Sequence, residues 1–223
     1  MTQSARDQIL MDTRSALGAA KLPRRSAEVV RAEADALLAD TDAARPSLEA
    51  LDVIDAFVAR AAGPKVNATV TRVENIQSVP NAIAEYLRND SDAGLEVCIA
   101  PNATLTGLGW RAAGLTVVSK ADDGVFVAMA QWAVAETGSV VLHSARDTPI
   151  LPNFLALIHL VVVPRSRIVA HLEDYASAAR AAGDPAPRNA CLMTGPSGTS
   201  DIEGAFVRGA HGPKDVHVIV FGD

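Results

Sequence analysis

The segment richest in residues that could do chemistry is TGPSGTSDIEG, which runs from Thr194 to Gly204. Its glycines free the backbone so that N–H groups can converge on one point, and its serine and threonine side chains add hydroxyl donors. A helix that began at SDIEGAFV would add about half a positive charge at its first turn. Such a loop suits a carboxylate or a phosphate. The alternative is a plain turn in which one hydroxyl caps the helix, and the composition alone leaves both open.

A second segment, AETGSV, places Glu136 beside a glycine turn just before a predicted strand. Glu136 could act as a general base, as a nucleophile or as the acceptor for a ligand hydroxyl, and Thr137 could donate a hydrogen bond. The alternative is a glutamate that ends a helix and is followed by a Thr-Gly turn. The residues of this segment, taken by themselves, favour that alternative.

Two further loops carry a histidine and an arginine. His211 lies in GAHGPKD, a turn ahead of the last predicted strand, and could serve as an acid or base near neutral pH. Arg146, in HSARDTP, could pair with an anionic ligand, although a solvated or internally paired loop arginine is more common. The five histidines show no spacing typical of metal ligands, so no metal site is predicted.

The composition argues against several classes of function. A net charge of −6 and an aromatic content of 4% disfavour a nucleic-acid-binding face. The two cysteines, Cys98 and Cys191, cannot supply the four thiolates of an ordinary iron–sulfur cluster. Neither a GxGxxG fingerprint nor a GxSxG elbow occurs, so no cofactor is predicted. With no secretory signal and no apolar span of membrane-crossing length, we expect a cytoplasmic protein without a membrane span.

These loops must be positioned by an alternation of helices and strands. Residues 1–64 are predicted to form an N-terminal helical segment, with helices capped by Ser4, Ser26 and Ser47. Residues 65–223 alternate helices with short apolar strands such as LEVCIA, LALIHLVVVP and DVHVIVF. VFVAMAQWAVAE is predicted to begin as a strand and to turn helical. The alternation predicts an α/β domain whose mainly parallel sheet is covered by helices on both faces.

Four segments together resemble the LUD-domain family of lactate utilisation proteins: SARDQILMDTRSALG, AVAETGSVVL, HLVVVPRSRIV and TGPSGTSDIEGAFVRGAHGPKDVHVIV. The resemblance implies a fold similar to that of ribose-phosphate isomerases, glucosamine-phosphate deaminases, CoA transferases and formyltetrahydrofolate cyclo-ligases, with a ligand cleft beyond the strand ends. The expected site residues, from the motifs and the resemblance together, are Glu136, Thr137, Gly138, Thr194, Gly195, Pro196, Ser197, Gly198, Thr199, Asp201, Ile202, Glu203, His211, Gly212 and Pro213.

One position departs from the family pattern. The family has an arginine between the serine and threonine of GPS-R-T, and this chain has Gly198. Backbone amides, Arg146 or Arg208 would then have to supply the contact with an anion.

The resemblance implies a protein that works with iron–sulfur partner proteins to oxidise lactate to pyruvate. Because the chain has no cluster ligands and no nicotinamide or flavin fingerprint, we do not expect a complete oxidoreductase. The first hypothesis is a cytoplasmic accessory subunit of a lactate-oxidising system, whose cleft binds a small anion. The alternative is a free-standing enzyme on a phosphorylated or acyl-activated small molecule, with Glu136 as base or nucleophile.

Overall fold

The computed structural model describes residues 4–19, 25–40, 42, 45–48, 52–89, 94–120, 124–200 and 206–222. The chain divides into two compact units, Met1–Arg45 and Pro46–Asp223. The first unit contains helices α1 (Ala5–Ala19) and α2 (Ala27–Ala39). Helix α2 begins where the Ser26 hydroxyl accepts a hydrogen bond from the Val29 N–H, which confirms the predicted cap.

The second unit begins with helix α3 (Val53–Ala62). Asp52, rather than the predicted Ser47, caps this helix, because its carboxylate accepts hydrogen bonds from two N–H groups of the first turn. Since α3 packs against strands of the second unit, the division between compact units comes earlier than residue 64. The folding of 1–64 and 65–223 as separate domains stays a prediction.

A parallel sheet forms the centre of the second unit. Its six strands are β1 (Thr69–Val73), β2 (Glu96–Ile99), β3 (Thr116–Val118), β4 (Val125–Met129), β7 (Ile158–Pro164) and β12 (Asp215–Phe221). They lie in the order β1-β12-β7-β4-β2-β3, and every neighbouring pair is parallel. The central strand β7 is buried from Ile158 to Val163, as expected of a strand covered on both faces. The predicted α/β class with a mainly parallel sheet is therefore confirmed.

Helices cover both faces of this sheet. The remaining helices are α4 (Val79–Asn89), α5 (Ala103–Thr106), α6 (Pro152–Leu155) and α7 (Leu172–Ala181). Tyr86 of α4 stacks on His217 of β12 with ring centroids 4.0 Å apart. Ile54 of α3 lines the same cavity as Val220 of β12. Because side chains alternate along a strand, Val220 points to the face of β12 opposite to that of His217. None of the helices in the described ranges is both long and apolar enough to cross a membrane.

A smaller sheet carries the AETG segment. Its strands are β5 (Trp132–Val134), β6 (Ser139–His143), β8 (Ile168–Val169) and β9 (Ala190–Met193), in the order β8-β5-β6-β9. The prediction that VFVAMAQWAVAE turns helical is wrong, because Trp132–Val134 pair with β6 as an antiparallel strand. Helix α7 packs on this sheet through Tyr175, which contacts the buried Trp132. The AETG turn therefore joins two paired strands that are packed against α7.

Candidate functional site

The AETG turn and the TGPSG loop meet at a trio of hydrogen-bonded hydroxyls. Ser139 Oγ donates to Thr137 Oγ1 at 2.8 Å and lies 2.6 Å from Thr194 Oγ1, which then acts as the donor. Strands β6 and β9 are antiparallel, so the start of β6 lies beside the end of β9. Ser139 is buried, whereas Thr194 is exposed. Two segments that are far apart in sequence are therefore neighbours in the fold.

Two glycine turns pack both loops against the end of α3 and the residues after it. Gly138 has φ +69°, and a Cβ there would stand 2.9 Å from the Ala61 backbone nitrogen. Gly195 has φ +76°, and a Cβ there would stand 2.0 Å from the Val66 carbonyl oxygen. Any other residue type would have to displace backbone at these points. The glycines thus bring both loops onto residues 61–66.

A cavity of about 170 Å³ opens beside the same segment. Its lining residues are Ala59, Arg60, Gly63, Pro64 and Lys65. The position of a Cβ on Gly138 would lie 3.0 Å from Arg60 Cγ, so the cavity adjoins the AETG turn. A guanidinium and an ammonium group at one small cavity suit an anionic ligand.

The loop that contains His211 joins this assembly through Ser197. The Ser197 N–H donates to the Pro213 carbonyl at 2.8 Å, and the Gly209 N–H donates to the Ser197 carbonyl at 2.9 Å. A Cβ on Gly212 would stand 3.2 Å from the Ser197 Cβ, so the two loops are closely packed. Among the described residues, the Ser197 hydroxyl forms no hydrogen bond, so it remains available to donate one to a ligand. His211 itself is exposed.

Glu136 caps helix α7. Its Oε1 accepts a hydrogen bond from the N–H of Leu172, the first helical residue, at 2.9 Å. A carboxylate at this end of a helix is also favoured by the helix dipole. The contact gives Glu136 a structural task that the sequence did not identify, and its role as base or nucleophile stays a prediction.

His171 lies next to this cap. Its Nε2 is 3.0 Å from the Pro46 carbonyl oxygen, and its Nδ1 is 3.3 Å from Asp174 Oδ2. The hydrogen bond to the Pro46 carbonyl raises the pKa of His171 most, burial opposes this, and Asp174 and Glu136 raise it further. A positive charge at His171 would therefore sit beside the Glu136 carboxylate.

The one position that departs from the family pattern is Gly198, and it lies in a short β-hairpin. Gly198 begins strand β10 (Gly198–Ser200), which pairs antiparallel with β11 (Phe206–Arg208). A helix that begins at SDIEGAFV, one of the two possibilities left open by the sequence, does not extend over Phe206 and Val207, since their pairing with Ser200 and Thr199 requires extended backbone. Asp201, Ile202 and Glu203 lie outside the described residues.

The arginines expected to replace the family's arginine differ in their surroundings. Arg208 donates from Nε to the Lys214 carbonyl at 2.7 Å and lies 3.1 Å from Asp215 Oδ1, so its charge is already partnered. Arg146 is exposed. The cations at the cavity, Arg60 and Lys65, come from a region that the motifs did not mark. Their signal in the sequence was a basic residue on each side of the helix-ending Gly63-Pro64.

Among known proteins, residues 118–221 match the family model of the LUD domain. Lactate utilization protein C from Bacillus licheniformis is 33% identical over 116 residues, which are 50% of this chain and 48% of that protein. The Bacillus subtilis protein of the same name is 32% identical over 110 residues, which are 48% of this chain and 46% of that protein. The chain thus spans about half the length of the curated relatives it matches.

A crystal structure of a DUF162 family protein from Deinococcus radiodurans has the same fold. Its TM-score is 0.52 at 22% identity, and the match covers 76% of this chain and 96% of that chain. The segment matched by the family model includes the AETG turn, the TGPSG loop and three of the six strands of the central sheet, β4, β7 and β12. Over these residues the chain is therefore similar to LUD-domain proteins, and the resemblance indicated by its motifs is confirmed.

Proposed function

We propose that the protein acts in lactate utilisation, as an accessory subunit that binds a small anion and works beside iron–sulfur proteins. The relatives named lactate utilization protein C support the pathway. The observation that carries the proposal for this chain is that the AETG turn and the TGPSG loop meet and pack against residues 61–66, beside a cavity that Arg60 and Lys65 line.

Arg60 and Lys65 would supply the charge that the family pattern places at Gly198. Both line the cavity that adjoins the AETG turn. Because Lys65 is exposed and Arg60 only half-buried, each charge pair with a ligand would contribute about 0.2–1 kcal/mol after screening by water and salt. The free Ser197 hydroxyl and the Thr194 side chain lie on the neighbouring loop and could orient the bound group. A carboxylate or phosphate of a few atoms matches this set of donors.

The iron–sulfur partner is what the resemblance to the lactate utilisation family implies, and the composition agrees with it. Lactate oxidation requires an electron acceptor, and the chain's two cysteines cannot supply four thiolates for a cluster. In our proposal the cluster belongs to a partner protein, and this chain organises the partner or the small anion. Co-expression with the iron–sulfur proteins of the same organism's lactate-oxidising system should yield a complex that survives purification.

A growth experiment tests the proposal directly. Deletion of the gene should abolish growth on L-lactate as sole carbon source and leave growth on glucose unchanged. The wild-type chain should restore growth on lactate, whereas the double variant Arg60→Gln/Lys65→Gln should not. Arg180→Gln serves as the matched control, since Arg180 is an exposed arginine on α7. Normal growth of the deletion strain on lactate, together with no complex on co-expression, would overturn the proposal.

A further inference from the structure

A second cavity, of about 210 Å³, lies at the carboxyl edge of the parallel sheet. The register of three parallel strands creates it. Val73 of β1 pairs with Phe221 of β12, which pairs in turn with Pro164 of β7. The residues that follow these three, Glu74, Gly222 and Arg165, therefore leave the sheet side by side and line the cavity. In open α/β sheets, ligands bind beyond the carboxyl ends of the strands.

The walls of this cavity are formed by packed elements. Ile54 of α3 and Val220 of β12 line it, and both are core residues with less than a tenth of their surface exposed, at 8% and 3%. Gly222 donates its N–H to the Val73 carbonyl at 3.1 Å, and a Cβ on Gly222 would stand 2.6 Å from the Glu74 carbonyl oxygen. The close backbone approach fixes the mouth of the cavity.

The charges at the cavity favour a singly charged ligand. Arg72 NH2 lies 2.6 Å from Asp55 Oδ1, so the charge of that arginine is already balanced. Arg165 is exposed, and the described residues offer its guanidinium no hydrogen bond or ion pair. Glu74 is likewise exposed and without a described partner. One cation and one acceptor thus remain available beside apolar walls, whereas a phosphate dianion would meet Glu74 at close range.

We infer that this cavity binds a small monocarboxylate that carries a hydroxyl group. Its carboxylate pairs with the Arg165 guanidinium, its hydroxyl donates to the Glu74 carboxylate, and its short aliphatic part packs on Ile54 and Val220. Pockets for drug-sized molecules measure about 300–1,000 Å³, so a smaller cavity suits a molecule of few heavy atoms. The choice of this ligand class rests on the proposed function in lactate utilisation, whereas the site is a different one, because this cavity lies at the carboxyl end of β1 and residues 61–66 precede its amino end.

Titration of the purified full-length chain with L-lactate, followed by calorimetry, tests this inference. We expect saturable binding that Arg165→Gln weakens at least tenfold and that Arg180→Gln leaves unchanged. Propionate lacks the hydroxyl and should bind more weakly than L-lactate, and Glu74→Met, which removes the acceptor at similar size, should remove that difference.

Several results would overturn the inference. They are the absence of saturable binding of L-lactate, equal weakening by the Arg165 and Arg180 substitutions, or displacement of L-lactate by inorganic phosphate at equal concentration. Equal affinities for propionate and L-lactate would refute the contact with Glu74. The growth experiment on lactate fails or succeeds separately from all of these, since it depends on the other cavity and on the partner proteins.

Discussion

Replacing Gly195 by alanine should destabilise the second unit more than the same change at Gly183. Both glycines have positive φ, +76° and +71°. A Cβ on Gly195 would stand 2.0 Å from the Val66 carbonyl oxygen, whereas a Cβ on Gly183 would have nothing within 4 Å. The Gly183 variant therefore reports the cost of the left-handed backbone alone, and the difference between the two variants reports the close approach of the TGPSG loop to Val66.

The expected magnitudes follow from these two contributions. The left-handed conformation costs an alanine about 1–2 kcal/mol in either variant. A carbonyl oxygen cannot rotate away as the end of a flexible side chain can, so the backbone of one loop must shift. Overpacking of this kind costs roughly 1–3 kcal/mol. We expect a loss of about 2–5 kcal/mol for Gly195→Ala and about 1–2 kcal/mol for Gly183→Ala.

Urea unfolding followed by the fluorescence of Trp110 and Trp132 measures both variants, since each tryptophan is buried in the second unit. With a slope of about 2 kcal/mol per molar urea, the midpoints of the two variants should differ by about 1 M. Equal midpoints would refute the reasoning, because the TGPSG loop would then not be held against Val66.

Three further predictions concern side chains that stabilise the same unit. Burial lowers the pKa of His159 to about 3 and that of His217 to about 4. The stability present above pH 6.5 should therefore fall as the pH drops towards 4, by about 1.4 kcal/mol per pH unit for each histidine. His159→Leu should halve this dependence in urea titrations at pH 7 and pH 5; an unchanged slope would contradict the assignment. Glu136→Ala should lose about 1 kcal/mol with its cap on Leu172, and Glu136→Gln clearly less, by the same urea assay; equal losses would disprove the cap. Ser139→Ala should cost about 0.5–1.5 kcal/mol, because it removes the two hydrogen bonds of the buried hydroxyl while water can reach the exposed Thr194 and the half-buried Thr137, and an unchanged thermal midpoint would argue against that trio.

The sequence predicts the central sheet well because its strands are unambiguous. The runs at Ile158–Pro164 and Asp215–Phe221 are apolar on both faces and are bounded by turn residues, a pattern typical of covered parallel strands. Strand order was not predictable, since β1 and β12 pair across nearly the whole length of the second unit. The short apolar run around Trp132 was misjudged because a buried strand and a buried helix turn have the same composition over so few residues.

The candidate site was predictable only in part. The motifs marked the AETG turn and the TGPSG loop, and antiparallel pairing brings Ser139 next to Thr194. No local signal could show that Glu136 reaches Leu172, because that contact depends on how α7 packs on the smaller sheet. Arg60 and Lys65 could not be predicted as site residues either, because a basic residue near the end of a helix is usually solvated.

The contacts of Gly138 and Gly195 distinguish two reasons for a residue to belong to a motif, namely the packing of a loop and the binding of a ligand. Both glycines are required where backbone meets backbone, irrespective of any bound molecule. A relative that had lost its ligand would still need them in order to close its loops on the neighbouring helix. Their presence in a sequence therefore indicates that the two loops pack against the neighbouring helix end. Whether the cleft binds a ligand would instead be indicated by the basic residues that line it.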